Sequence, residues 1–133
     1  MNPRYAQVAL RAGHRCEYCR APEVVFNFPF EVEHVLPVYR GGTDTENNRA
    51  LACRSCNLRK ATHVGGVDPK SEAMVRLFNP RYDRWEEHFL ADPDSGEIKG
   101  LTAIGRATIA RLEMNSEAQI LARRQWMRLG LFP

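Results

Sequence analysis

The sequence predicts an α+β fold of short elements, and three observations carry that expectation. The chain has 133 residues, 44% of them hydrophobic and 26% charged, an ordinary globular composition sufficient for one domain or a small domain with an extension. Stretches with apolar residues at helical spacing are interspersed with extended, Val- and Phe-rich stretches. Four cysteines come as two CxxC pairs, Cys16/Cys19 and Cys53/Cys56, a spacing that lets two distant turns grip one ion.

At the N-terminus, Asn2 and Pro3 suit the cap and first turn of a helix whose apolar face is Tyr5, Val8 and Ala9, and Gly13 is placed to end it. That helix leads into the first cysteine knuckle. Residues 24–35 read as extended structure interrupted at Pro29. From Glu31 the alternation is clear: Val32, His34 and Leu36 point one way, Glu31, Glu33 and Val35 the other. Pro37 limits the strand and Gly41-Gly42 turns the chain. Ala50, Leu51 and Ala52 form a short apolar step before the second knuckle, and a helix starting near Cys56 or Asn57 carries Leu58, Arg59 and Lys60. The Gly/Asp/Pro stretch that follows reads as a connector, giving a core at 1–63, a linker at 64–76 and an extension at 77–133 packed on the core. Within the extension, Asn79-Pro80 opens a short helix through Trp85, and residues 88–90 and 97–99 flank DPDSG as a hairpin. Thr102 caps a helix to about Glu113, and Ser116 with Gln119 makes a capping box for the last helix, ending near Gly130.

A net charge of +3 is weak support for a nucleic-acid partner. Stronger is the identity of the nineteen basic residues, of which only Lys60, Lys70 and Lys99 are lysine, because the planar guanidinium fork suits phosphate. Arg106, Arg111, Arg123, Arg124 and Arg128 read either as a DNA-facing flank or as charged faces of surface helices. No apolar run approaches the roughly 20 residues of a membrane span and no signal-peptide core is visible, so the expected location is cytoplasmic. In that setting paired CxxC spacing favours one structural zinc ion on four thiolates over disulfides or a redox dithiol.

His34, preceded by Glu33 within what would be a zinc-pinned hairpin, is the candidate for chemistry. An imidazole titrating near neutrality can deprotonate water for phosphodiester hydrolysis, and such a reaction gains from a divalent cation at the phosphate. Glu33 and Asn57 offer hard oxygen donors, which favour Mg²⁺ or Mn²⁺. Arg40, Arg54, Arg59 and Lys60 would contact phosphates around the site. His63 reads as a surface histidine, with contact to the metal or DNA as the alternative, and His88 as a core or surface residue.

Taken together, CEYC, EVEHVLPVYRGG and NRALACRSCNLRK resemble the HNH endonuclease motif, the ββα-metal fold, in its cysteine-bracketed form. The resemblance spans Cys16 to Lys60. It implies that His34 is the general base, that Glu33 and Asn57 hold the catalytic metal, and that Asn48 pins the loop orienting His34. It also implies 5′-phosphate and 3′-hydroxyl products, with a monomer nicking one strand and a homodimer able to cut both. The chain departs from the family letters at Asn57, where His is usual, and at Glu33, where Asp is commoner. On their own, Asn48 could be a turn former and Asn57 a helix N-cap. Residues 77–133 resemble an extension following the core in some bacterial members. The rival readings are a zinc-containing nucleic-acid-binding module without catalysis and a subunit of a larger restriction or defence complex.

Overall fold

A computed structural model describes residues 2–133. Helix α1 (Tyr5–Arg11) begins later than Asn2-Pro3 suggests, because the Asn2 side chain closes a local turn onto the Arg4 N–H (2.7 Å) and Arg4 becomes the N-cap. Gly13, at φ +64°, turns the chain out of the helix toward Cys16. Strands β1 (Glu31–His34) and β2 (Arg49–Ala52) pair antiparallel, with Glu31 opposite Ala52 and His34 opposite Arg49. Helix α2 (Arg54–Lys60) follows directly and completes a ββα unit. It starts at Arg54 because Cys53 caps it, the thiol sulfur accepting from the Cys56 N–H at 3.4 Å. Asn57 is therefore a mid-helix residue and not a cap.

The stretch expected as a linker is a hairpin. Strands β3 (Gly65–Val67) and β4 (Met74–Arg76) pair antiparallel around a turn built on Asp68, which is fully buried. The Asp68 carboxylate accepts from the Lys70 and Ser71 N–H groups and the Ser71 hydroxyl. It also takes a two-pronged grip from Arg106 at 2.8 and 2.9 Å, across 38 residues of sequence. Composition alone reads VGGVDP as a connector; the residue that makes it structural lies far along the chain.

In the extension, Asn79-Pro80 forms a turn in place of a helix. Asn79 Oδ1 accepts from the Arg81 N–H and Asp83 accepts from the Asn79 N–H, so that α3 (Trp85–His88) begins at the residue expected to end it. The DPDSG turn joins β5 (Phe89–Ala91) to β6 (Ile98–Gly100) as a hairpin. Thr102 Oγ1 caps α4 (Ala103–Leu112) through the Gly105 N–H (3.0 Å). Ser116 Oγ caps α5 (Glu117–Arg128). The capping box is only half made, since the Gln119 side chain donates to Ser55 on α2 (2.7 Å).

Among the described residues each of the three sheets has two strands, too few to be stable alone, and packing supplies what pairing cannot. Helix α4 lies against β3, β4, β6, α2 and α3. One buried cluster runs from Val8, Tyr18 and Leu51 through Phe78 and Phe89 to Leu112 and Trp126. The Trp85 indole N–H donates to the Tyr18 carbonyl (2.7 Å) and Arg81 pairs with Glu17, so the extension and the ββα unit share a core. No helix among the described residues is long and apolar enough to cross a membrane.

Candidate functional site

The four cysteines are buried, and their sulfurs all lie within 4.8 Å of one another. Cys19 Sγ and Cys53 Sγ are 3.7 Å apart. A tetrahedral zinc with Zn–S bonds of about 2.3 Å requires sulfurs about 3.8 Å apart, whereas a disulfide requires about 2.05 Å. The cluster fits one zinc ion, which would tie the first knuckle to the β2–α2 junction. Four thiolates around a divalent ion leave an excess of negative charge. Arg123 of α5, read from sequence as part of a possible DNA-facing flank, is buried beside this charge, donating to the Gly96 and Met114 carbonyls at 2.7 Å each. Burial pulls its guanidinium below the usual arginine range, while Cys19, Cys56 and Cys53 push it back up.

His34 stands half-exposed at the end of β1. The loop beyond it is closed by Asn48, whose side chain is buried: Oδ1 accepts from the Leu36 N–H at 2.9 Å, and Nδ2 donates to the Leu36 and Thr43 carbonyls at 2.8 Å each. Gly41 takes φ +95°, open to glycine at no cost. A Cβ on Gly42 would collide with the Leu36 carbonyl and lie 2.8 Å from Asn48 Nδ2. Across this loop His34 Nε2 meets Asp44 Oδ1 at 2.8 Å. The hydrogen bonds from His34 and then Arg49 hold the Asp44 carboxyl below its ordinary range. Asp44 escapes a reading of the sequence because TDTE reads as turn polarity.

Glu33 does not present its carboxylate to this site. It lies on the inward face of β1, its side chain 7% exposed, accepting on Oε1 from the Tyr18 hydroxyl and on Oε2 from Lys60 Nζ at 3.0 Å. Burial raises its pKa, opposed by Lys60 and Tyr18. Lys60, expected at the surface as a phosphate contact, is buried and also donates to the Val35 carbonyl (2.9 Å). Strand alternation explains the first correction: residue 33 must face opposite to residue 34. Helical spacing explains the second, since Lys60 lies four residues after buried Cys56 and shares its face.

With both oxygens of Glu33 engaged inside the protein, the carboxylate as placed does not fit a catalytic Mg²⁺ or Mn²⁺ ligand. Asn57 is half-buried on α2, and its side chain makes no hydrogen bond among the described residues. Of the basic residues expected near phosphate, Arg40 and Arg54 are exposed, Arg40 donating only a 3.3 Å bond to the Thr62 carbonyl. Arg59 is turned to the extension, pairing with Glu113 at 2.8 Å.

The model of the HNH endonuclease family matches residues 16–63, from the first cysteine of the cluster to just beyond α2. No curated protein and no solved structure gives a significant match to the chain. The matched segment contains both cysteine pairs, the β1–β2 hairpin bearing His34 and the following helix, the parts from which a nuclease-type ββα unit is made. The chain carries an HNH endonuclease domain at residues 16–63.

Proposed function

We propose that this domain hydrolyses phosphodiester bonds of DNA, with His34 as the general base. The observation that supports this reading most is the half-exposed imidazole of His34, held at the end of the cysteine-pinned hairpin inside the segment that matches the family. In the reaction, His34 takes a proton from water, the hydroxide adds to phosphorus, and the bond to the 3′ oxygen breaks. Solvent protonates the departing oxygen, leaving 3′-hydroxyl and 5′-phosphate ends. Arg40 and Arg54, the open guanidiniums of the expected set, are suited to the flanking phosphates. One such site cuts one strand at a time, so a single chain nicks duplex DNA and a pair can sever it. Zinc in the four-cysteine cluster is the structural ion of this reading.

The activity is expected to require Mg²⁺ or Mn²⁺. Holding that ion between Glu33 and Asn57 would require Glu33 to exchange the Lys60 ammonium for it. The Glu33–Lys60 pair is also the observation favouring the second reading, a zinc module that binds nucleic acid without cutting it. Supercoiled plasmid incubated with the protein and Mg²⁺ or Mn²⁺ separates the two. The nuclease converts plasmid to open circles and stops on chelation of the divalent ion. The binding module retards the plasmid in a salt-sensitive way, indifferent to Mg²⁺, and leaves every strand intact.

A further inference from the structure

We propose that Asp44 is a positioning residue for His34, fixing the imidazole with its proton on Nε2 so that Nδ1 is the atom that takes the proton from water. The inference deepens the nuclease reading and rests on it. Asp44 Oδ1 lies 2.8 Å from His34 Nε2. A carboxylate only accepts, so the bond requires hydrogen on Nε2, and in the neutral ring this leaves the Nδ1 lone pair free. It is the one side-chain hydrogen bond that His34 makes among the described residues, so nothing else in the fold selects between the ring nitrogens.

Asp44 is 73% exposed, yet its position is fixed from below. Arg49, with a side chain 7% exposed, donates to the Asp44 backbone carbonyl at 2.8 Å and to Oδ1 at 3.2 Å. Arg49 is the cross-strand partner of His34, so the two side chains stand on one face of the hairpin, and a single carboxylate oxygen accepts from both. The Arg49 carbonyl in turn accepts from Arg11 of α1 (2.6 Å). The chain of contacts thus runs from the first helix, through a buried guanidinium, to the ring that faces solvent. Without Asp44, His34 keeps its place on the backbone but is free to rotate and to populate either tautomer.

The test combines plasmid nicking kinetics with ¹⁵N spectra of the His34 ring in wild type, Asp44→Ala and Asp44→Asn. Asp44→Ala should lower kcat by about 10- to 100-fold, the scale of a misplaced catalytic group, with KM for plasmid unchanged. Asp44→Asn, which keeps an acceptor oxygen, should retain most of the rate. Wild-type spectra should report one tautomer carrying hydrogen on Nε2, and Asp44→Ala a mixture. Asp44→Ala with wild-type kcat and an unaltered spectrum, while the wild type is active, overturns the role of Asp44 and leaves the nuclease reading standing. A wild type inert on plasmid under Mg²⁺ and Mn²⁺ overturns the nuclease reading itself, and with it the catalytic role given to Asp44.

Discussion

Glu33, Lys60 and Tyr18 form the polar contact at the centre of the ββα unit, where two opposite charges and a phenol satisfy one another out of water. Removing one member leaves a buried charge without a partner, which typically costs about 3–5 kcal/mol. Lys60→Met should therefore lower the urea-unfolding free energy by about that amount, and adding Glu33→Gln should restore much of it. A Lys60→Met protein as stable as wild type would show that the pair carries no such weight. Only the strand side of this contact was legible in the sequence, where alternation sets residue 33 opposite residue 34; Lys60 read as a phosphate contact and is buried instead. What could not be read is that this strand face meets Lys60, because the partners are 27 residues apart.

At the scale of elements, the loop between β1 and β2 depends on Asn48 and Gly42. Three hydrogen bonds from one buried amide, at about 1 kcal/mol net each, make Asn48→Ala a loss of about 3 kcal/mol. Gly42→Ala should disturb the same loop by pushing a methyl into the Leu36 carbonyl. Both changes should slow nicking by displacing His34, and thermal melts recorded beside the nicking rates compare the two losses. The Asn48 clamp is local enough that the position of the residue within the motif pointed to it.

The β3–β4 hairpin is a different case, since Gly, Asp and Pro in sequence look the same in a linker and in a turn held by a distant arginine. Its ion pair makes a pH prediction. Arg106 holds the folded-state pKa of Asp68 below its ordinary value. The pair therefore contributes stability that is fully present above the unfolded carboxyl value of about 3.9 and is lost as pH falls through the lower folded one. The stability gap between wild type and Asp68→Asn should be wide at neutral pH and narrow in acid below that value. A gap independent of pH would remove the pair from the account.

Across the whole molecule, the two cysteine pairs, the α+β mixture and the Thr102 and Ser116 caps were readable because each is encoded within a few residues. The sharing of one core by the ββα unit and the extension was not, because Trp85–Tyr18, Arg81–Glu17 and Gln119–Ser55 bridge more than sixty residues each. Arg123 shows the cost of reading charge without burial: a guanidinium that looks solvated on a helical wheel lies in the interior near the thiolates. Because zinc binding is coupled to folding in such sites, a strong chelator should collapse the circular dichroism of α4 and α5 together with that of the ββα unit. Helices that persist after zinc is removed would mean that the extension folds on its own.

A hydrolytic HNH domain with His34 as its base should show itself in the rate at which supercoiled plasmid is nicked by wild type and by His34→Ala, both checked for zinc content and fold. Wild type should nick in Mg²⁺ or Mn²⁺, and the variant should be slower by about 10² to 10⁴, the usual loss on removing a general base. Equal rates for the two proteins would contradict the assignment.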